Sequence, residues 1–255
     1  GAGGLTRNAN SGVTLHDGLT TLGATVIDAD DDTNGSGTFT IAAAKTLSTT
    51  NNALQIIANK IALSGALNSG TQSTTLTPTN SAAVDLGSAT DAAGNTVELS
   101  ATELQAITAS SLTIGDATAG AISISTDVTP GATGGTGVTI VNLVSGSTVT
   151  ATAGGIVETN LSVVAAGAVT FSAATTNVGT LAVDSSTGNI SFTDGDGFAV
   201  GTIGSVTGVD TAAGSVSLTA TTGNIVVANT AAANDIGATT GITLSAATDH
   251  ASITI

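Results

Sequence analysis

The chain has 255 residues, and its 3 basic side chains against 18 acidic ones give a formal net charge of −15. Three cations cannot build the positive surface that nucleic acid requires, so binding to a phosphate backbone is excluded. The chain has no Cys, which excludes disulfide scaffolds and thiol catalysis. Its long uncharged stretches are rich in Gly, Ser and Thr, so we expect no insertion into a membrane.

The same composition favours a folded chain over a disordered one. Disordered segments combine low hydrophobicity with a high density of charge. Here 41% of the residues are hydrophobic, only 8% are charged, and the mean hydropathy is +0.42. Burial of this apolar surface can offset the conformational entropy that folding costs.

Short segments in which apolar residues alternate with Thr or Ser recur along the whole chain. This period of two residues is typical of strands that have one buried face. Turn sequences such as Thr187-Gly188-Asn189 and Thr222-Gly223-Asn224 separate the segments. The pattern leaves three architectures open: a sandwich, a barrel or a β-solenoid. The clearest segments are Val13–Leu15, Thr38–Ile41, Leu112–Ile114, Ile122–Ile124, Val138–Ile140, Val169–Phe171, Ile190–Phe192, Val216–Leu218, Ile242–Leu244 and Ile253–Ile255.

Internal repetition favours the solenoid. Strand-like segments begin at Ile190, Val216 and Ile242, and 216 − 190 and 242 − 216 both equal 26 residues. A solenoid needs such spacing because each coil must stack its strands on those of the coil before. We predict that these three strands lie one above another in parallel, with the third residue of each on the same face. About 11 coils of roughly 23 residues would account for the chain, as a rod about 50 Å long.

One segment predicts a helix. Ser100 and Glu103 form a capping box of the Ser-x-x-Glu type, and Leu104 and Ile107 follow at helical spacing. We therefore predict one short helix near 101–108 in an otherwise all-β chain. No linker divides the sequence, so residues 1–255 are expected to form a single elongated solenoid.

The two ends predict continuation. The chain stops within the strand-like Ile253–Ile255, and the flexible Gly1–Gly4 is too small to cover a core. Unpaired strand edges recruit further strands. We expect either a segment of a longer chain or a filament subunit that stacks end to end on other copies.

Several stretches together resemble the repeats of the filamentous-haemagglutinin-like exoproteins and adhesins of bacteria. The resemblance implies a right-handed parallel β-helix, export to the cell surface and a structural or adhesive role. The stretches that carry it are Thr46–Leu54, Ile61–Gly70, Glu98–Ala109, Leu112–Gly115, Gly188–Phe192 and Gly223–Val227.

The densest acidic cluster predicts a calcium site. Asp30, Asp32 and Asn34 alternate before Gly35, as in the first half of a calcium-binding loop, and Asp28 precedes them. Carboxylates so close in sequence repel one another unless a cation neutralises them. We therefore name Asp28, Asp30, Asp32 and Asn34 as candidate Ca²⁺ ligands, against the alternative of a solvated acidic turn.

Other polar residues are expected to be structural. Asp194-Gly195-Asp196-Gly197 does not satisfy the nonapeptide calcium repeat, and a tight turn is the better interpretation. His16 and His250 each lie beside an Asp and away from any metal-ligand spacing, which is typical of surface residues. No Gly-x-Ser-x-Gly motif marks a nucleophile, so no catalytic residue is named.

Polysaccharide-active enzymes and ice-binding proteins also occur among β-solenoids. A polysaccharide-active enzyme would need cations or paired carboxylates in a cleft, and the chain has only Arg7, Lys45 and Lys60. An ice-binding solenoid would need Thr-x-Thr pairs in register on one face. Thr38-Phe39-Thr40 and Thr75-Leu76-Thr77 qualify, but we expect most strands to carry a single Thr or Ser.

The sequence thus predicts a non-enzymatic rod or filament segment of a secreted protein on a bacterial cell surface. Its partners would be continuing coils or further copies, together with host, neighbouring-cell or matrix surfaces. Its mechanism would be mechanical, because hydrogen-bonded ladders run along the axis around an aliphatic interior.

Overall fold

A computed structural model describes residues 3–91, 93–131, 137–228, 235–248 and 251–254. His250 and Ile255 lie outside the described residues. The described chain is almost entirely β. Its one helix, α1, spans Ala101–Gln105. The strands in chain order are β1 (Leu5–Asn8), β2 (Val13–Leu15), β3 (Leu19–Thr20), β4 (Thr25–Asp28), β5 (Thr38–Ile41), β6 (Thr46–Ser48), β7 (Leu54–Ala58), β8 (Lys60–Leu63), β9 (Ala66–Asn68), β10 (Ser73–Pro78), β11 (Ala83–Leu86), β12 (Thr96–Leu99), β13 (Ile107–Thr108), β14 (Ser111–Gly115), β15 (Ile122–Ile124), β16 (Ile140–Ser145), β17 (Val149–Ala151), β18 (Val157–Ala165), β19 (Val169–Phe171), β20 (Asn177–Ser185), β21 (Ile190–Asp194), β22 (Phe198–Val200), β23 (Thr202–Ile203), β24 (Val206–Thr207), β25 (Val209–Thr211), β26 (Ser215–Ala220), β27 (Ile225–Val227), β28 (Ile236–Gly237), β29 (Gly241–Ala246) and β30 (Ile253–Thr254).

These strands stack into parallel sheets, which confirms the solenoid. The first and longest sheet follows the order β1-β4-β7-β10-β14-β16-β18-β20-β22-β27-β30, with β25 and β28 beside it. The second sheet runs β12-β11-β15-β17-β19-β21-β26-β29. Two shorter sheets, β2-β5-β8 and β3-β6-β9-β13, complete the early coils. Strands that neighbour one another within a sheet come from successive coils, so the chain winds around a common axis.

The predicted stacking of three strands is confirmed residue by residue. Ile190 pairs with Val216 and Val216 pairs with Ile242, all in parallel. One column therefore contains Phe192, Leu218 and Leu244. Phe192 and Leu218 are fully buried, whereas Leu244, in the second sheet's last strand, is only partly buried.

The interior is one continuous apolar core filled by the inward-facing residues of every coil. Its most prominent aromatic contact joins three coils. The rings of Phe171 and Phe192 have centroids 5.3 Å apart, and those of Phe192 and Phe198 are 5.2 Å apart in an edge-on arrangement. Aromatic pairs of this kind add to the stabilisation that comes from buried area alone.

The spacing of 26 residues is not the basic length of a coil. In the first sheet Val141 pairs with Leu161 and Leu161 with Leu181, so these coils take 20 residues each. The longer spacing after Ile190 includes an inserted antiparallel hairpin, β23–β24. Gly204 occupies the first position of its two-residue turn with φ of +59°, a conformation that glycine adopts without strain.

The helix is shorter than predicted. The capping box is present: the Ser100 hydroxyl accepts a hydrogen bond from the Glu103 N–H, and the Glu103 carboxylate accepts one from the Ser100 N–H. However, α1 ends at Gln105, and residues 107–108, predicted as helix, form β13 instead. Ile107 pairs with Leu67 of the preceding coil, so the ladder of the solenoid overrides a further helical turn.

The helix follows a local reversal of coil order. β12 comes after β11 in the chain, yet it lies at the end of the second sheet, on the side of β8. The Glu103 carboxylate accepts a hydrogen bond of 2.7 Å from the N–H of Leu63 in β8. Because of this bond, α1 is fastened to the side of the solenoid. Within the described residues, no helix is long and apolar enough to cross a membrane.

Candidate functional site

The predicted calcium ligands lie at the last residue of β4, Asp28, and in the turn from β4 to β5, but they do not face one point. Asp30 is fully buried, Asp28 is partly buried, and Asp32 and Asn34 are exposed. The Asp32 carboxylate accepts a 2.8 Å hydrogen bond from the Asn34 side-chain amide. The structure therefore separates one member of the predicted set from the rest.

Asp30 organises the turn from inside. Its Oδ1 accepts a hydrogen bond of 3.3 Å from the N–H of Gly37, and its Oδ2 accepts one of 3.2 Å from the N–H of Gly35. Oδ2 also accepts a hydrogen bond from the hydroxyl of Thr79, two coils further along. A buried carboxylate is tolerated when such donors satisfy it. Asp30 thus has a structural role that does not depend on a metal.

The partly buried Asp28 lies close to other carboxylates, and this repulsion between like charges is the reason that a cation was predicted there. Burial raises the pKa of Asp28 above its usual range, while a hydrogen bond from the Asp30 N–H lowers it. The neighbouring charges of Asp31 and Asp30 raise it further. In the described part of the chain, no three His, Cys, Asp or Glu side chains converge as a metal-binding group.

Three further carboxyl groups, those of Glu98, Glu158 and Asp194, are buried, and their burial was not predicted from the sequence. Glu158 on β18 is 8% exposed, and burial raises its pKa to about 7 despite a hydrogen bond from the Thr159 N–H. It lines a cleft of about 550 Å³ together with Pro130, Val138 and Asn177. The alternation of apolar and polar residues does not distinguish a buried glutamate from an exposed one. The burial of Glu158 could therefore not be predicted from the sequence.

Asp194 is the first residue of the segment Asp194–Gly197, which the sequence predicted to be a tight turn. It is fully buried, and its carboxylate accepts hydrogen bonds from the N–H groups of Val178 (2.9 Å) and Asp196 (3.0 Å). Burial raises its pKa to about 6, the two N–H groups lower it, and a side-chain hydrogen bond with Asp196 and the charge of Asp196 raise it further. Asp194 therefore ties two adjacent coils together at this turn.

The three basic residues of the chain lie far apart in sequence, and two of them contact acidic residues of neighbouring coils. Lys45 forms an ion pair of 2.9 Å with Asp17, and Lys60 donates a 3.3 Å hydrogen bond to the backbone carbonyl of Asp91. Arg7 lies on β1, in the first coil. His16 is exposed in the loop after β2. These positions bring no cation together with Glu158 or Asp194.

The outer face of the second sheet carries a regular array that the sequence analysis did not find. One column contains Ser123, Thr150, Thr170, Ser191, Ser217 and Thr243, each paired with the next. Two residues further along each strand, Thr193 pairs with Thr219 and Thr219 with Ser245. Ser125, Thr152 and Ser172 directly follow the ends of β15, β17 and β19, two residues after Ser123, Thr150 and Thr170, and extend this second column beyond the paired strands.

The two Thr-x-Thr pairs named from the sequence lie elsewhere and form no such array. Thr38 pairs with Lys60, and Thr77 pairs with Ile57. Thr40 pairs with Thr14 and Ala62, and Thr75 pairs with Thr113 and Gln55, so each hydroxyl column there has only two members. The useful signal was a Ser or Thr at two successive outward positions in six of the eight coils that form the second sheet, from β15 to β29. It was hidden because chain lengths between these strands differ.

Comparison with protein-family models, curated proteins and solved structures finds no match to this chain. The parallel stacking of the strands defines the class of the fold as a β-solenoid.

The first prediction concerns Asp30. Replacement Asp30→Ala removes the acceptor for Gly35, Gly37 and Thr79, and we expect a loss of about 3 kcal/mol in the free energy of unfolding. The exposed Asp32→Ala is the matched control and should change it by less than about 0.5 kcal/mol. Urea denaturation measures both. Equal effects of the two substitutions would show that Asp30 is not the organising residue.

Calcium at Asp28, Asp30, Asp32 and Asn34 stays a prediction, and thermal melting tests it. Bound Ca²⁺ should raise Tm by mass action, and excess chelator should reverse the rise. The combined change Asp28→Asn and Asp32→Asn, which leaves the Asp30 hydrogen bonds in place, should abolish the response. A wild-type Tm that is insensitive to millimolar calcium identifies the segment as a hydrogen-bonded acidic turn.

The raised pKa of Glu158 predicts that stability falls with rising pH. The folded state holds this proton more tightly than the unfolded chain, so the contribution is full below about pH 4 and is lost as pH rises through 7. Between pH 5 and 8 we expect Glu158 to account for a loss of at most about 3 kcal/mol. Glu158→Gln should lose less than wild type in urea denaturation at the two values. An identical pH dependence in both proteins contradicts the assignment.

Proposed function

We propose that this chain is a structural or adhesive rod segment of a protein on the bacterial cell surface. The observation that carries the proposal is the uninterrupted stacking of parallel strands in the first sheet, from β1 to β30. In such a fold each additional coil extends the molecule by about 4.8 Å without changing its cross-section. Length is therefore the property that this architecture supplies most directly.

The interior supports a mechanical role. Most inward-facing residues of the middle coils are fully buried, and they form one core without a division into separate clusters. Along the same axis each interior strand of the two long sheets is hydrogen-bonded to a strand on each side. Bending or pulling the rod would strain many of these bonds together.

The composition of the surface supports an extracellular, adhesive role. The 18 acidic residues against 3 basic ones give copies of the chain a mutual repulsion that keeps them soluble. Between the charges lie neutral Ser, Thr and Asn side chains, which can donate and accept hydrogen bonds. We propose host, neighbouring-cell or matrix surfaces as the adhesive partners.

The terminal coils support end-to-end partners. Val13, Leu15 and Leu19 in the first coil are only partly buried although they continue the inner columns. At the other end Ile242 is 50% exposed and Ile253 is 39% exposed. Another parallel coil, from the same chain or from a second copy, would cover these side chains and pair the free strand edges.

The proposal assigns no catalytic step to the chain. Support comes from the separation of the three cations described above and from the structural hydrogen bonds that occupy Asp30 and Asp194. The rod would act by holding a position and presenting its surface.

Accessibility on intact cells tests the proposed location. An antibody raised against the folded chain should label unpermeabilised cells of the organism that makes it, and mild protease treatment should remove the label. A matched cytoplasmic protein, probed on the same cells, should be labelled only after permeabilisation. Labelling of this chain only after permeabilisation would overturn the proposal.

A further inference from the structure

The outer face of the second sheet carries two columns of hydroxyl side chains, defined here as the hydroxyl face. Its members are Ser123, Thr150, Thr170, Ser191, Ser217 and Thr243 in one column, and Ser125, Thr152, Ser172, Thr193, Thr219 and Ser245 in the other. We propose that the hydroxyl face is an ice-binding surface, a function independent of the proposed rod.

The array has two regular repeats that the backbone fixes. Successive members of one column lie on hydrogen-bonded parallel strands, about 4.8 Å apart. The two columns lie two residues apart along each strand, which is about 6.6 Å. Nine of the twelve hydroxyl groups lie on paired strands, all six of the first column and Thr193, Thr219 and Ser245 of the second, and the strand register keeps these nine in a rigid lattice. An ice surface is itself a rigid lattice of donors and acceptors, so a repeating rigid array can match it at many points together.

Most of these hydroxyl groups are free to bind water. In the first two coils of the face, Ser123, Ser125 and Thr150 donate long hydrogen bonds, of 3.3 to 3.5 Å, to backbone carbonyls of an adjacent coil. For the remaining nine members, the described structure contains no side-chain hydrogen bond. Their hydrogen-bonding capacity is therefore met by the solvent layer.

The hydroxyl face carries no charge in a chain whose net charge is −15. Its columns contain neither an acidic nor a basic residue, and the acidic residues of this sheet's outer face, Asp85 and Glu98, occur only in the two strands before Ser123. An ionised group holds its own hydration shell tightly and disturbs a water lattice. Ice is uncharged, so an uncharged protein surface suits it. A charged ligand would instead need protein side chains of the opposite charge, and the hydroxyl face has none.

The neighbouring column keeps the face flat. The residues two positions before the first column are all small or medium in size: Ala121, Thr148, Ala168, Asn189, Ser215 and Gly241. The longest of them, Asn189, turns its side-chain oxygen onto the N–H of Ser215, from which it accepts a 2.9 Å hydrogen bond. No large side chain of this column therefore stands above the hydroxyl groups.

Half of the members are Thr, whose γ-methyl group adds an apolar contact beside each hydroxyl. Water next to an apolar group has restricted orientations, and water bound by a hydroxyl is fixed in position. Thr is also stiff at χ1, so the two groups keep a constant relation to the strand. The combination favours an ordered first layer of water over the face. A crystalline polysaccharide is a less suitable occupant, since it would use aromatic platforms and the hydroxyl face contains none.

Thermal hysteresis of the full chain tests the proposal, with ice itself as the probe. Wild type should lower the freezing point below the melting point and inhibit ice recrystallisation. Ser191→Lys, at the centre of the face, should lose most of the hysteresis. Thr75→Lys, on the outer face of the first sheet, is the matched control and should keep it. Circular dichroism and Tm verify that both variants fold.

Two further outcomes decide the matter. The double change Ser191→Thr and Ser217→Thr adds two methyl groups to the face and should increase hysteresis at equal protein concentration. Absence of hysteresis in wild type overturns the proposal, and equal losses in Ser191→Lys and Thr75→Lys show that the hydroxyl face is not the site. None of these results bears on whether the rod is displayed at the cell surface.

Discussion

Parallel hydrogen bonding between successive coils is the constraint on which the rest of the structure depends. Each strand shares its backbone donors and acceptors with the coils on either side, so the register of one coil fixes that of the next. Most inward positions are therefore apolar, as Phe171, Phe192, Leu218 and Leu244 are in one column, and the few inward polar residues, such as Thr25 and Thr74, are small. Outward positions repeat for the same reason, and this repetition turns scattered Ser and Thr residues into the hydroxyl face.

The same constraint determines where the chain can vary. Insertions are accommodated between strands, because an insertion within a strand would shift every side chain beyond it to the opposite face. The hairpin β23–β24 follows this rule: β20 pairs with β22 before the hairpin and with β25 after it. The reversed order of β11 and β12 is a second variation between strands. There α1 follows β12, and the hydrogen bond from the Leu63 N–H to Glu103 holds α1 against the solenoid.

The sequence predicted what depends on neighbouring residues and missed what depends on distant ones. Alternation and turns placed the strands at Ile190, Val216 and Ile242, and the capping box placed the start of α1. The end of α1 was wrong because Ile107 pairs with Leu67 of another coil. The burial of Asp30 could not be predicted either, since its partner Thr79 lies 49 residues away. The hydroxyl face required the register between strands, which unequal loops conceal.

The central claim is the parallel register of successive coils, and engineered disulfides test it most directly. The natural chain has no Cys, so Ser191→Cys combined with Ser217→Cys introduces a single possible bridge between facing residues of β21 and β26. Facing Cα atoms about 5 Å apart suit a disulfide, whereas residues two coils apart are about 10 Å apart and cannot be bridged. Mass spectrometry after mild oxidation should therefore find the intramolecular bridge in this variant and none in Ser191→Cys with Thr243→Cys. A bridge that forms only in the second variant would contradict the stacking order and the solenoid described here.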